Sequence, residues 1–314
     1  MTKPDVLQMG AYPAWDQEPL EAAFALHRYF EAADHTAFLA KVGPRIRAIA
    51  TRGDLGATAA IITACPQLEM ISVYGVGYDS VDMTAAQARG IAVTNTPDVL
   101  NEDCADLGVA MLLALARGLV GAEAWARSGD WATKGGYPLQ RRVSGQKAGI
   151  LGLGRIGRAV GQRLAAFGMD IAYSARSRKD TPGWAFVPDP AELAARSDFL
   201  IVTAIANAET RHLVNADVLR SLGPQGLLVN ISRAQNIDED ALLAALETGG
   251  IGGAALDVFE GEPALNLRFR ALTNVLLQPH HASGTVETRR AMGQLMRDNL
   301  TAHFAGLPLL TPVR

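Results

Sequence analysis

Cysteine is nearly absent from this chain. Cys65 and Cys104 are the only two in 314 residues, and neither sits in a C-x-x-C pair or a His/Cys cluster at metal spacing. That excludes a disulfide-stapled scaffold and a structural zinc, and it suits a reducing compartment. Net charge is also nearly absent. With a formal −3 and the basic residues dispersed, neither nucleic acid nor an anionic membrane is implied as a partner. The longest apolar run, Leu107–Ala116, is too short to span a bilayer. The opening MTKPDVLQMG has no signal-peptide apolar core, so a cytoplasmic location is expected. Short-period repeats and low-complexity segments are missing as well. What remains is a chain 49% hydrophobic and 19% charged, a globular composition long enough for two domains.

Short β-like runs alternate with helical patterns from end to end, which predicts an α/β fold of doubly wound parallel sheets. Strands are expected at Asp5–Met9, Ile46–Thr51, Ile71–Tyr74 and Ile91–Val93, with helices such as Glu18–Phe30 and Thr84–Arg89 between them. A long helix follows from an Asn101 cap, through acids in its first turn, to about Arg117. Residues 125–145, rich in Gly and basic side chains, are expected to be loop. Six further strands follow, at Ala148–Leu151, Asp170–Tyr173, Phe199–Thr203, Leu227–Ile231, Ala254–Val258 and Val275–Leu277, and then a last helix, Val286–Phe304. The expected division is a discontinuous substrate domain, 1–99 with 285–314, and a dinucleotide-binding domain, 100–284.

The second domain is anchored by residues 150–176, ILGLGRIGRAVGQRLAAFGMDIAYSAR. Gly152, Gly154 and Gly157 spell G-x-G-x-x-G between an apolar strand and an amphipathic helix, the pattern of a dinucleotide-binding β-α-β unit. The glycines permit the tight turn, the approach of backbone to pyrophosphate and the packing of helix on strand. Phosphates then meet N–H groups at the helix N-terminus. An acid is conspicuously missing from the end of the second strand, where an NAD site places one for the ribose 2′-hydroxyl. Ser174, Arg176, Ser177, Arg178 and Lys179 stand there instead, a set suited to a 2′-phosphate. NADP is therefore favoured over NAD.

Three later segments each end a predicted strand, where an open α/β sheet builds its ligand crevice. They are AsnIleSerArg at 230–233, LeuAspValPheGluGlyGluPro at 256–263 and GlnProHisHisAlaSerGly at 278–284. Together they supply Arg233, Glu262 and a histidine, His280 or His281. A 2-keto acid that accepts hydride needs a cation for its carboxylate and carbonyl. It also needs a proton donor that titrates near neutrality, which imidazole supplies. A carboxylate on the far imidazole nitrogen orients the ring.

These motifs, with TyrGlyValGlyTyrAspSerValAsp at 74–82, resemble the D-isomer-specific 2-hydroxyacid dehydrogenases over nearly the whole chain. The absent acid and the C-terminal segment resemble the glyoxylate/hydroxypyruvate and hydroxyphenylpyruvate reductase branch. The resemblance implies two Rossmann-like domains, an NADPH-preferring reductase of small 2-keto acids giving D-2-hydroxy acids, and a homodimer. It makes Arg233 the substrate-binding cation, His280 the general acid and Glu262 its partner. Backbone N–H groups of Val76 and Gly77 would take the substrate carboxylate, with Leu100 as a pocket wall. Asp257 would hold the nicotinamide carboxamide, and Arg155 and Ile156 would lie over the pyrophosphate.

Three positions depart from the family pattern. Ala234 follows Arg233 where Gly is common, at a cost of about 1 kcal/mol if that φ is positive. Residues 203–210 lack the usual Pro-Leu-Thr, and His281 beside His280 bears on pocket polarity. Alternative readings are an NAD-dependent dehydrogenase on the same scaffold, with a substrate such as phosphoglycerate, and a non-enzymatic dinucleotide-sensing corepressor.

Overall fold

Among the residues described by the computed structural model, 3–313, every paired strand runs parallel to its neighbours. The chain forms two units, one of residues up to Leu100 together with those from Gly284 on, the other of Asn101–Ser283.

In the first unit, β1 (Asp5–Gln8), β2 (Ala25–Arg28), β3 (Ala48–Arg52), β4 (Met70–Tyr74) and β5 (Ala92–Thr94) make a sheet of order β2-β1-β3-β4-β5. This is the flavodoxin-like form of the doubly wound fold. The central strands β3 and β4 are buried along almost their whole length, as a parallel sheet covered on both faces requires. Ile49, Ile71, Val73 and Val93 form the centre of this core. The helix Val286–Phe304 packs on β4. Its N-terminus is capped by Thr285, whose hydroxyl oxygen accepts the Thr288 N–H at 3.1 Å. Tyr74 donates its hydroxyl to the Arg289 carbonyl at 2.7 Å, tying helix to strand.

In the second unit the strands are β6 (Lys147–Leu151), β7 (Asp170–Ser174), β8 (Ala185–Phe186), β9 (Phe199–Val202), β10 (Leu227–Asn230), β11 (Gly253–Leu256) and β12 (Val275–Leu277). Their order is β12-β11-β10-β9-β6-β7-β8, so the chain reverses direction across the sheet between β6 and β9. Ligands bind at such a switch point, beyond the carboxyl ends of the strands. The helix Asn101–Ala116 packs across β10 and β11, with Gly108 seated on Ile231, where a Cβ would come within 2.8 Å of Cδ1.

Several elements differ from the sequence expectation. The helix expected over Glu18–Phe30 is instead Ala14–Ala23 followed by β2. Phe24 turns to extended backbone, and Ala25–Arg28 then pair in register with Asp5–Gln8. The open edge of β1 therefore outcompetes helical spacing. Residues 125–145, expected as loop, carry parts of two helices, Leu119–Ser128 and Asp130–Lys134. Gly118, Gly129 and Gly135 lie at the helix ends with positive φ. They punctuate the helices without dissolving them. The sheet gains a seventh strand, β8, too short at two residues to show a period.

Candidate functional site

The turn after β6 is shaped by side chains that are not there. Gly152 has φ +95°, and a Cβ on it would lie 2.5 Å from the Ala204 Cα. A Cβ on Gly157 would lie 2.2 Å from the Gly152 carbonyl oxygen. Neither site can take alanine without movement. Gly154 is different: nothing lies within 4 Å of where its Cβ would be. The space over Gly154 is thus open, as a close approach of pyrophosphate to this turn requires. No side chain caps the helix Arg155–Ala166 that starts here, and a helix N-terminus favours an anion. Arg155 is exposed and Ile156 half-buried at this N-terminus. The turn fits a dinucleotide.

At the end of β7, Ser174 is nearly buried, and its hydroxyl donates to the Pro188 carbonyl at 2.9 Å. Its hydrogen is spent inside the protein, so the polar groups offered outward to a 2′-phosphate are Arg176, Ser177, Arg178 and Lys179, all exposed. Ser174, expected at the 2′-phosphate, here also supports the loop from within.

Past the ends of β10, β11 and β12, the structure draws Arg233, Glu262 and His280 into one electrostatic group. His280 Nδ1 lies 2.6 Å from Glu262 Oε2, and Glu262 Oε1 accepts the Phe259 N–H at 2.7 Å. Burial pushes the Glu262 carboxyl upward. The hydrogen bonds from His280 and Phe259, with the charges of His280 and Arg233, outweigh it and hold the group below the usual carboxylate range. Glu262 is therefore an anion at neutral pH, fixed against one ring nitrogen, which leaves Nε2 as the nitrogen for proton transfer.

His280 itself adopts φ +51°, a left-handed backbone uncommon for a residue with a side chain. The chain next to it is anchored. Asp257, 1% exposed, accepts the His281 N–H with one carboxylate oxygen and the Ala282 N–H with the other, both at 2.9 Å. These two hydrogen bonds to consecutive amides hold the chain just past His280. Desolvation raises the Asp257 carboxyl, against the pull of those two N–H groups and of the neighbouring histidines. The family resemblance implies a nicotinamide contact for Asp257; its hold on this loop is visible only in the structure.

Arg233 is half-buried, and its Nη1 donates to the Ser232 carbonyl at 2.8 Å. Its own carbonyl accepts from Asn230 Nδ2 at 3.1 Å, so the Asn-x-x-Arg spacing closes a side-chain-braced turn. Ala234 begins a 3-10 turn and is not among the described residues with positive φ, so the strain anticipated there does not arise. Within residues 203–210, the Ala204 carbonyl accepts from the buried Asn236 Nδ2 at 2.8 Å. His281 points its ring to Gln278 Oε1 at 2.7 Å.

In the first unit, the Gly75–Tyr78 loop is braced by Thr96 Oγ1, which accepts the Gly75 N–H at 3.0 Å. Asn95 Nδ2 donates to the Val76 carbonyl at 2.8 Å. Among the described residues the N–H groups of Val76 and Gly77 have no protein acceptor. Leu100 is 5% exposed.

Comparison with known proteins gives one answer at every level. The family model described as D-isomer specific 2-hydroxyacid dehydrogenase, NAD binding domain, matches residues 109–282. The hydroxyphenylpyruvate reductase of Plectranthus scutellarioides is 43% identical over 308 residues, 98% of either chain. Among solved structures, a 2-hydroxyacid dehydrogenase from Ketogulonicigenium vulgare Y25 is 67% identical with a TM-score of 0.94, covering 100% of this chain and 99% of that one. The NADPH-dependent glyoxylate/hydroxypyruvate reductase of Sinorhizobium meliloti, in complex with NADP and malonate, is 42% identical with a TM-score of 0.93, covering 99% and 97%. With its parallel sheets, its glycine turn and its Arg-Glu-His group, the chain belongs to the D-isomer specific 2-hydroxyacid dehydrogenase family.

Proposed function

We propose that this protein reduces small 2-keto acids of the glyoxylate/hydroxypyruvate class to D-2-hydroxy acids, with NADPH preferred. The observation that carries the proposal is the 2.6 Å contact between His280 Nδ1 and an ionised Glu262, within the field of Arg233. The dinucleotide, when bound, supplies hydride to the keto carbon. His280 gives a proton from Nε2 to the keto oxygen, and Glu262 stabilises the protonated ring that does so. Arg233 takes the substrate carboxylate and polarises the carbonyl. The N–H groups of Val76 and Gly77 are the proposed further donors to that carboxylate. Gly152–Gly157 carry the pyrophosphate, and the basic side chains after β7 favour a 2′-phosphate.

The Sinorhizobium relative, NADPH-dependent and crystallised with NADP, supports the cofactor assignment, and its dicarboxylate ligand is the kind of anion Arg233 suits. We extend the reading to a homodimer, supported by the exposed apolar side chains Leu119, Val120 and Trp131 in the segment after the first long helix. The test is initial-rate oxidation of NADPH and NADH side by side, with glyoxylate, hydroxypyruvate and 4-hydroxyphenylpyruvate. Turnover with NADPH well above NADH supports the proposal, and the best acid names the substrate. A preference for NADH overturns the cofactor assignment. No turnover with any pair, despite tight dinucleotide binding, overturns the reductase and favours a binding protein.

A further inference from the structure

We propose that Tyr173 sets the selectivity for a 2′-phosphorylated dinucleotide by clamping the basic loop that receives the phosphate. It is a positioning residue, and the inference rests on the NADPH reading above. Tyr173 is the next-to-last residue of β7, and none of it is exposed. Its ring fills the sheet core, a task phenylalanine would perform equally. Its hydroxyl does something else: it accepts the Lys179 N–H at 2.7 Å and donates to the Lys179 carbonyl at 3.0 Å. One buried oxygen thus closes residues 174–178 into a fixed loop.

The stems are held independently. Ser174 donates to the Pro188 carbonyl at 2.9 Å, and Arg158, on the helix that starts at Arg155, donates to the Asp180 carbonyl at 2.7 Å. Above the clamp, the Tyr173 ring lies 5.4 Å from Phe186, and the Arg178 guanidinium stacks 5.3 Å over Phe186. The hydroxyl, two rings and a cation form one continuous support under the exposed Arg176 and Ser177.

The energetic logic follows from what the loop lacks. Residues 176–179 are all exposed, and three of them carry like charges. Such a segment has no core of its own and would lose its freedom only on binding, at the expense of affinity. The clamp orders it beforehand. A ligand without the 2′-phosphate makes no use of that order, so the clamp acts on the ratio of affinities and not on both alike.

The test is Tyr173→Phe, with dissociation constants for NADP⁺ and NAD⁺ measured by titration calorimetry. NADP⁺ is expected to weaken about tenfold and NAD⁺ to stay within about twofold, the scale of one or two lost hydrogen bonds. Hydrogen exchange at the Lys179 amide, read without ligand, is expected to quicken. An unchanged NADP⁺ to NAD⁺ ratio, or unchanged exchange at Lys179, overturns the clamp. If the wild-type protein prefers NADP⁺ while the variant keeps its ratio, only this inference falls. If the wild-type protein prefers NAD⁺, the NADPH reading fails and the clamp falls with it. Should the Phe variant unfold, hydrogen exchange in the unliganded wild-type protein still decides: the Lys179 amide, which the hydroxyl accepts at 2.7 Å, is expected to exchange more slowly than the amides of Ser177 and Arg178, and equal exchange at the three overturns the clamp.

Discussion

The two ligand-bearing parts of the seven-stranded sheet are built on opposite principles. After β6, the site is made by absence: Gly152 and Gly157 stand where a methyl group would strike backbone, and Gly154 leaves a gap. After β10, β11 and β12, it is made by presence: Asp257, Glu262 and Asn230 each spend hydrogen bonds on neighbouring backbone or on His280. A steric site fails first when volume is added. An electrostatic site tolerates small changes of shape and fails when a proton or an ion is misplaced. The contrast predicts which substitutions hurt which property.

The largest effect belongs to the electrostatic end. His280→Ala is expected to lower kcat at least about 10²-fold, the scale of a lost general acid, with the NADPH dissociation constant nearly unchanged. Stopped-flow turnover and fluorescence titration on the same preparation check both halves, and near-normal turnover removes His280 from its role. Arg233→Ala is expected to reduce kcat/KM by about 10- to 100-fold, with KM for the keto acid rising, as for a lost charge-assisted hydrogen bond. An unchanged KM would place the substrate carboxylate elsewhere.

A pair of glycine variants sharpens the steric end at a smaller scale. Gly157→Ala must move the Gly152 carbonyl or fail, so a loss of about 1–3 kcal/mol in stability is expected, together with weaker dinucleotide binding. Gly154→Ala meets no protein atom within 4 Å, and its φ of −85° suits alanine. That variant should keep its Tm while dinucleotide affinity falls about tenfold, because the methyl group occupies the approach to pyrophosphate. Equal Tm losses in the two variants would mean that the space over Gly154 is not a ligand's.

The same contrast explains what the sequence could reveal. A glycine required by φ or by a 2.2 Å approach admits no other residue, so Gly152 and Gly157 are readable without coordinates. Arg233, Glu262 and a histidine are readable because they follow three strand ends together, behind the glycine turn, and the family resemblance then selects His280 over His281. Asp257 is only half readable: an acid after a strand is visible, but its grip on the amides of His281 and Ala282 depends on how closely β11 and β12 approach. The inner partner of Ser174 is hidden for a similar reason, since the Pro188 carbonyl is brought to it by the pairing of β8, which ends just before it. Tyr173 passes for an ordinary core aromatic until its hydroxyl is seen on Lys179. β2 is hidden because an open strand edge, not residue periodicity, decides it.

The smallest expected effect separates the two carboxylates within the electrostatic end by the sign of their pH dependence. Glu262 is held below its ordinary value in the folded protein. Its stabilisation is therefore present above the unfolded-state pKa, about 4.3, and is lost as pH falls through the lower folded value. Asp257 is raised. Its contribution is full below the unfolded-state value, about 3.9, and is lost as pH rises through the folded value. Urea unfolding of the wild-type protein, Glu262→Gln and Asp257→Asn across pH 3 to 7 reads both. The stability gap to Glu262→Gln should narrow toward acid, while the gap to Asp257→Asn should widen in the same direction. Two gaps of the same slope would mean that burial does not dominate at Asp257, and that the loop carrying His280 is held by an ordinary surface-like carboxylate.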